Sequence, residues 1–425
     1  MQGQRLNVLL ATVGSLGDIY PFAALGLALK SRGHRATLVT SANYESFARE
    51  LGLEFIELAS EETFRKITLD ADMRTRSRRY AAHCIRPLYE IISAQRTDGN
   101  TVAIGTSRMF GARIAQEKLG VPFVSIDAQP SAIRSIYESP GLPLGDPPKF
   151  LGPLGRAWRA MQFQIVDSLY IRPIVEPALN SLRPELGLPA IRSLHSWMHS
   201  PELSIGLFPE WFASPQPDWP RSLRLTGFPL FDDRAVHEMP AGLSEFIEGG
   251  TPPVVFTFGT EYRFAQRLLS ESAEACARGG FRGILLTRHQ DQVSAGLPDG
   301  VRHFSYVPLR DLLPRCAALV HAGGIGTTAA GLASGTPQLI VPHGHDQPDN
   351  GARLRRMGTA FVLSQRSYKA KTVAEAIGRL ISSQKVARSC ARYRILMARE
   401  EDPLPRTCDL IEGLFRSRIA RGRVD

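Results

Sequence analysis

Leu6-Asn7-Val8-Leu9-Leu10-Ala11-Thr12, then Gly14-Ser15-Leu16-Gly17-Asp18-Ile19-Tyr20-Pro21, then a helical pattern to Arg32, reads as strand, glycine-bearing turn and helix. Outward from it the alternation continues. Residues 36–40 and 55–58 suit strands, 43–50 a helix, and 102–105 a strand ahead of a helical stretch over 110–118; 121–126, with its β-branched and aromatic residues, suits another strand. Strands alternating with helices predict a parallel sheet covered on both faces.

The same rhythm returns after a Pro-rich middle. Val254-Val255-Phe256-Thr257-Phe258 opens a second series, with a helix over 264–278, strands near 283–287 and 303–307, a strand ending Leu319-Val320-His321, a helix after Gly326, and a strand over 337–341. Two Rossmann-like α/β domains facing an interdomain cleft are the economical prediction, divided as 1–235 and 236–425. A linker is expected over about 232–250, and helices near 373–383, 386–399 and 404–415 finish the chain and can cross back to the first domain. Trp158, Met161, Phe163 and Ile165 in the middle either shape a pocket or pack in a core.

Composition narrows the classes. A chain of 425 residues with 43% hydrophobic and 22% charged residues can bury substantial cores and is not a disordered protein. Its 51 Lys and Arg against 41 Asp and Glu leave a net charge of +10, which favours anionic ligands or surfaces. Neither the cluster Arg74, Arg76, Arg78, Arg79 nor the basic tail Arg416, Arg418, Arg421, Arg423 sits in a recognisable nucleic-acid module, so no nucleic-acid partner is expected. Five scattered cysteines fit neither a disulfide framework nor a thiolate metal site. No secretory signal or membrane span is expected; a cytoplasmic protein, with peripheral contact at the inner face of a membrane left open, fits these features.

Two loops carry chemistry. Gly14 and Gly17 permit a tight path, and Asp18 either caps the following helix or presents a carboxylate at the cleft edge; the loop is neither G-x-G-x-x-G nor a Walker loop. In His321-Ala322-Gly323-Gly324-Ile325-Gly326-Thr327-Thr328, three glycines at a strand end let backbone amides approach an anion, and the helix start adds unpaired N–H groups. Thr327 or Thr328 can add a hydroxyl, and His321 can donate to a phosphate oxygen; a tight turn with a buried His is the other reading. Asp346 and Gln347 follow the next strand with the hydrogen-bonding capacity that sugar hydroxyls need, and Thr260 follows the strand over 254–258 and Gly259. His195 and His199 lack the Glu of the zinc-hydrolase pattern, and Asp70 and Asp72 read as a solvated face, so no metal site is expected.

These loops, over nearly the whole chain, resemble the family-one glycosyltransferases of GT-B architecture. Within that family Trp197-Met198-His199-Ser200-Pro201, Phe208-Pro209-Glu210-Trp211-Phe212, Asp218-Trp219-Pro220 and Thr226-Gly227-Phe228-Pro229-Leu230-Phe231-Asp232 look like the rhamnosyltransferase branch that forms mono-rhamnolipids. The resemblance implies an N-terminal acceptor domain and a C-terminal nucleotide-sugar domain. It also implies inverting, metal-independent transfer without a cofactor beyond the nucleotide sugar. Asp18 matches a subgroup with Asp as base where many relatives have His; Gly17, Thr260, Tyr306, His321, Gly323, Gly324, Gly326, Thr327, Asp346 and Gln347 match donor-side positions. Tyr306-Val307-Pro308-Leu309 departs from the Trp-x-Pro-Gln nucleobase signature of the plant enzymes. The expected reaction is transfer of L-rhamnose from dTDP-L-rhamnose to a hydroxyalkanoyl lipid. The alternatives are a UDP- or dTDP-sugar transferase acting on an antibiotic aglycone, sterol or phenolic acceptor, and, more distantly, an epimerase, a hydrolase or a non-catalytic binder. Oligomeric state is not read from the sequence.

Overall fold

The computed structural model describes residues 5–68, 73–97, 99–139, 142, 144–145, 147, 149–231, 239–259, 265–420 and 422. The chain forms two compact units, Met1–Pro229 with Asp402–Asp425, and Leu230–Glu401.

The first unit holds seven strands, β1 (Asn7–Ala11), β2 (Arg35–Ser41), β3 (Glu54–Ala59), β4 (Thr101–Gly105), β5 (Phe123–Asp127), β6 (Leu203–Gly206) and β7 (Leu223–Leu225). They pair in the order β3-β2-β1-β4-β5-β6-β7, every pair parallel. Apolar runs replace alternation because both faces are covered. Val8 and Leu10 join one core with Leu38, Ile104 and Val124, while Leu9 and Ala11 join another with Val39, Ala103 and Phe123. The last helix, Pro403–Ala420, belongs here: Cys408, Ile411 and Phe415 enter the first of these cores. Burial of an Ile or Phe side chain is worth about 1.5–3 kcal/mol. The neighbouring Arg32–Asp409 ion pair at 2.6 Å is solvent-screened, so apolar contact holds this helix.

The second unit repeats the plan with β8 (Val254–Thr257), β9 (Gly283–Leu286), β10 (Val301–Phe304), β11 (Ala318–His321), β12 (Gln338–Ile340) and β13 (Ala360–Val362), parallel in the order β10-β9-β8-β11-β12-β13. Val254, Phe256, Val320 and Leu339 pack on one face, and Val255, Ile284 and Leu319 on the other.

Several elements differ from expectation. The first helix spans Leu16–Ser31, beginning five residues before Pro21, because Ser15 and Asp18 cap it and the proline fits within its opening turns. Strands β6, β7 and β13 are only three or four residues long, too short for a periodic signal. Within the expected linker, Leu243–Glu248 is a helix whose Leu243 and Ile247 are buried in the second unit's core; residues 232–238 lie outside the described ones.

Candidate active site

In open parallel sheets, ligands bind beyond the carboxyl ends of the strands where the strand order reverses. Each unit has one such point, between β1 and β4 in the first and between β8 and β11 in the second. The loops singled out from the sequence stand at both.

At the first, Asp18 is the third residue of the helix and Ser15 its N-cap. Asp18 Oδ2 accepts from Ser15 N at 2.9 Å and from Ser15 Oγ at 3.2 Å. The other oxygen, Oδ1, has no hydrogen-bond partner among the described residues. Gly14 makes this possible: at φ +153° its missing Cβ would lie 2.2 Å from Asp18 Oδ2. Tyr44 Oη donates to Gly14 O at 3.0 Å and steadies the turn, while Gly17 is exposed in the first turn. The capping and the ligand-facing readings of Asp18 therefore use different oxygens of one carboxylate.

At the second, Gly324 is the N-cap of Ile325–Ser334, with no side-chain cap and no acidic residue in the first turn. Around Gly324 and Gly326 an added Cβ would meet nothing within 4 Å, so packing does not require glycine there. Gly323 differs: its φ is +100° and a Cβ would lie 2.7 Å from Ile340 Cγ2. Helix geometry leaves the amides of Gly326 and Thr327 without intrahelical acceptors. Thr327 is half-buried, whereas Thr328 is fully buried and its hydroxyl turns to Gly323 O at 3.5 Å.

His321 is arranged differently from the sequence expectation. Gly323 N donates to its Nδ1 at 3.1 Å, so the proton sits on Nε2, which donates to Gln338 Oε1 at 2.9 Å. Burial pushes its pKa down to about 4, only partly opposed by the Gln338 hydrogen bond. The neutral imidazole shapes the glycine loop, and neither ring nitrogen is left to reach a phosphate oxygen in this arrangement.

Asp346 is the N-cap residue of the helix Gln347–Met357. Its Oδ2 accepts from Ile325 N at 3.2 Å and Asn350 Nδ2 at 2.7 Å, tying two rim loops together. Gln347 Oε1 accepts from His343 N at 2.7 Å and Gly344 N at 3.2 Å, which turns its NH2 the other way, without a partner among the described residues. His345 between them is the one described non-glycine residue in the left-handed region, at φ 57°, a strain that loops at binding sites often carry. Asn350, fully buried, also donates to Gly323 O at 2.9 Å; sequence reading passed over this brace, although its i+4 spacing from Asp346 was the available signal. Tyr306 is half-buried beyond β10, with the Arg288 guanidinium 5.3 Å from its ring centroid, a cation–π contact also missed from sequence. Thr260 lies outside the described residues, as do Asp70 and Asp72.

In the first unit, Trp158 and Met161 are 40% and 39% exposed on the helix Gly152–Val166, so they are not core residues. With Leu144, Pro147, Leu151 and Leu154 they line an apolar groove of about 620 Å³, a size suited to a drug-sized molecule. Phe163 instead lies under the Arg134 guanidinium, and Ile165 is outside the groove. His195 and His199 meet edge to face at 5.8 Å; burial lowers both pKa values, His195 to about 3. Among the described residues no group of three or more His, Cys, Asp or Glu side chains is gathered to hold a metal ion.

Each unit is a parallel sheet with a loop at its switch point, and the relatives make the chain a nucleotide-sugar-dependent glycosyltransferase. Residues 283–411 match the erythromycin biosynthesis protein CIII-like C-terminal domain family, and residues 8–83 the glycosyltransferase family 28 N-terminal domain. O-mycaminosyltylonolide 6-deoxyallosyltransferase of Streptomyces fradiae is 30% identical over 380 residues, 84% of this chain and 85% of its own length. A sterol 3-beta-glucosyltransferase of Arabidopsis thaliana is 29% identical over 388 residues, 83% of this chain and 57% of its own length. The crystal structure of the glycotransferase of kitacinnamycin shares the fold at TM-score 0.74 and 20% identity, covering 97% of this chain and 100% of its own. The chain belongs to the glycosyltransferase family of the Streptomyces fradiae enzyme. The narrower likeness to the mono-rhamnolipid branch is corrected: the matched C-terminal family model and the relatives named above are antibiotic and sterol glycosyltransferases.

Proposed function

We propose that this enzyme moves a sugar, with inversion, from a UDP or dTDP sugar to a hydroxyl of a bulky hydrophobic aglycone of the antibiotic type. The observation that carries the donor half is the start of Ile325–Ser334, where Asp346 takes only the Ile325 amide and Gly324 and Gly326 face open space. A diphosphate there receives the Gly326 and Thr327 amides and the helix's partial positive charge, which gain strength as the leaving group takes up negative charge. No divalent ion is needed to hold that charge. The nucleobase stacks on Tyr306, and the sugar hydroxyls meet Asp346 and the Gln347 amide. Strand spacing supports this order, since β10 and β11 are three steps apart in the sheet, about 14 Å, comparable to the reach from base to pyrophosphate.

On the acceptor side, Oδ1 of Asp18 takes the proton of the acceptor hydroxyl. A carboxylate is a weak base toward a resting alcohol, so proton transfer accompanies attack. The acceptor oxygen bonds to the anomeric carbon from the face opposite the diphosphate, the glycosidic carbon–oxygen bond to phosphate breaks, and the nucleoside diphosphate leaves. The apolar groove with Trp158 and Met161 binds the body of the aglycone. The relatives named for O-mycaminosyltylonolide and for kitacinnamycin support an antibiotic aglycone; the plant relative keeps sterols as the second reading.

The test is mass spectrometry of products from purified enzyme given UDP and dTDP sugars with macrolide, polyketide, sterol and phenolic acceptors. Acceptor-plus-sugar products of inverted anomeric configuration are expected, first among the macrolides and polyketides. Donor hydrolysis or epimerisation with every acceptor unchanged would overturn the reading.

A further inference from the structure

The helix Gly152–Val166 carries an outward apolar stripe that the transferase reading does not fully use. Leu154, Trp158, Met161 and Ile165 recur at helical spacing, within an arc of about 60° at 100° per residue. Their exposures are 70%, 40%, 39% and 42%, and the stripe is extended by Phe150 at 85% and by Leu169 at 53%, in the π-helical turn Asp167–Ile171. Single exposed apolar residues are ordinary, but six along one helix and its flanks, four of them on one helical stripe, mark an interaction surface.

The charges around the patch say what covers it. Along the helix and its flanks Arg156 is half-buried and Arg172 exposed, against Asp167 alone as an acidic side chain, and Asp167 is paired with Arg134. Arg74 Nη2 donates to Leu169 O at 3.2 Å, which sets the helix Met73–Gln95 beside the end of the stripe. That helix opens with Arg74, Arg76, Arg78 and Arg79 and no acidic residue in its first turn. Among the described residues, no helix is long and apolar enough to cross a membrane.

We infer that this face docks the enzyme on an anionic lipid surface, with Phe150, Ile165 and Leu169, outside the groove, entering the headgroup–acyl boundary and Arg74, Arg78, Arg156 and Arg172 on lipid phosphates. A Trp- and Leu-bearing stripe beside basic side chains is the chemistry of an interfacial helix. This docking goes beyond the transferase reading and holds whichever aglycone the groove accepts.

The test is vesicle co-sedimentation of full-length protein, using phosphatidylcholine alone or with about 30 mol % phosphatidylglycerol, at about 0.05 M and 0.5 M salt. Binding to the anionic vesicles at least ~10-fold above the neutral ones, weakened by salt, is expected. The triple variant Phe150→Ser, Ile165→Ser, Leu169→Ser, all outside the groove, should lose that binding ~10-fold or more while keeping its circular dichroism and its transfer to a water-soluble acceptor. Absence of wild-type binding, or equal binding by the folded triple variant, would overturn the inference. So would light scattering that finds a dimer converted to monomer by the triple change without vesicle binding, which would assign the face to a second copy.

Discussion

The loops after β1 and after β11 have the same topology and opposite helix starts. After β1, a side chain supplies the cap: Ser15 and Asp18 occupy the helix N-terminus and place a negative charge there. After β11, Gly324 is the N-cap and no residue of the first turn is acidic; the carboxylate that reaches this start, Asp346, takes the Ile325 amide and leaves those of Gly326 and Thr327 for an anion. On the proposed reading, one strand–loop–helix design supplies a base in the first unit and an anion cradle in the second. The difference lies in where the carboxylate comes from: the helix's own first turn after β1, the neighbouring loop after β12 in the second unit.

The largest effect that can break this contrast is on the rate. Asp18→Asn keeps an oxygen for the Ser15 amide and removes carboxylate basicity, so transfer should fall by about 10²–10⁴-fold with donor affinity within ~3-fold, measured by single turnover and calorimetry. Next is Gly326→Val. Its Cβ meets no protein atom within 4 Å, so unfolding should be little changed while the donor Kd rises by ~10-fold or more. Gly323→Ala is its control and should destabilise the fold instead, because Ile340 and a φ of +100° leave no room for a side chain. Trp158→Ala should raise the acceptor KM by about 10-fold with the donor KM unchanged, through loss of apolar contact in the groove.

Acid stability is a smaller, graded test. His321 and His343 are pushed down to about 4 and His195 to about 3, each chiefly by burial. The unfolded chain protonates these rings near pH 6.5, so it binds more protons than the fold between there and about pH 4. Stability should be full above pH 6.5 and decline as pH falls toward 4, by up to about 1.4 kcal/mol per pH unit for each ring that stays neutral in the fold. Urea midpoints between those limits read the slope, and His321→Asn should make it shallower. The smallest expected effect is that of a chelator: EDTA should change transfer by less than ~2-fold, and a loss restored by Mg²⁺ or Mn²⁺ would require a metal on the diphosphate.

The long elements were legible because buried parallel strands are written as apolar runs such as Val8-Leu9-Leu10 and 254–258, and because glycine loops follow them. Strands β7 and β13 were not, since tertiary pairing rather than local pattern makes them strands. At the site, the sequence named the loops but not their internal wiring. Its reading of His321 as a donor to phosphate missed that Gly323 N and Gln338 engage both nitrogens, a contact between neighbouring strands β11 and β12 that one-dimensional spacing does not encode. Asp18 was undecided between cap and base, and the structure shows why: Oδ2 caps while Oδ1 stays open.

Donor Kd and the single-turnover rate at saturating donor, measured side by side on Asp18→Asn and Gly326→Val, probe the division of labour most directly. The expected pattern is crossed, with rate lost at normal donor affinity in the first variant and donor affinity lost in the second. A folded Asp18→Asn enzyme that turns over at the normal rate, or a Gly326→Val enzyme that binds donor normally, would contradict it.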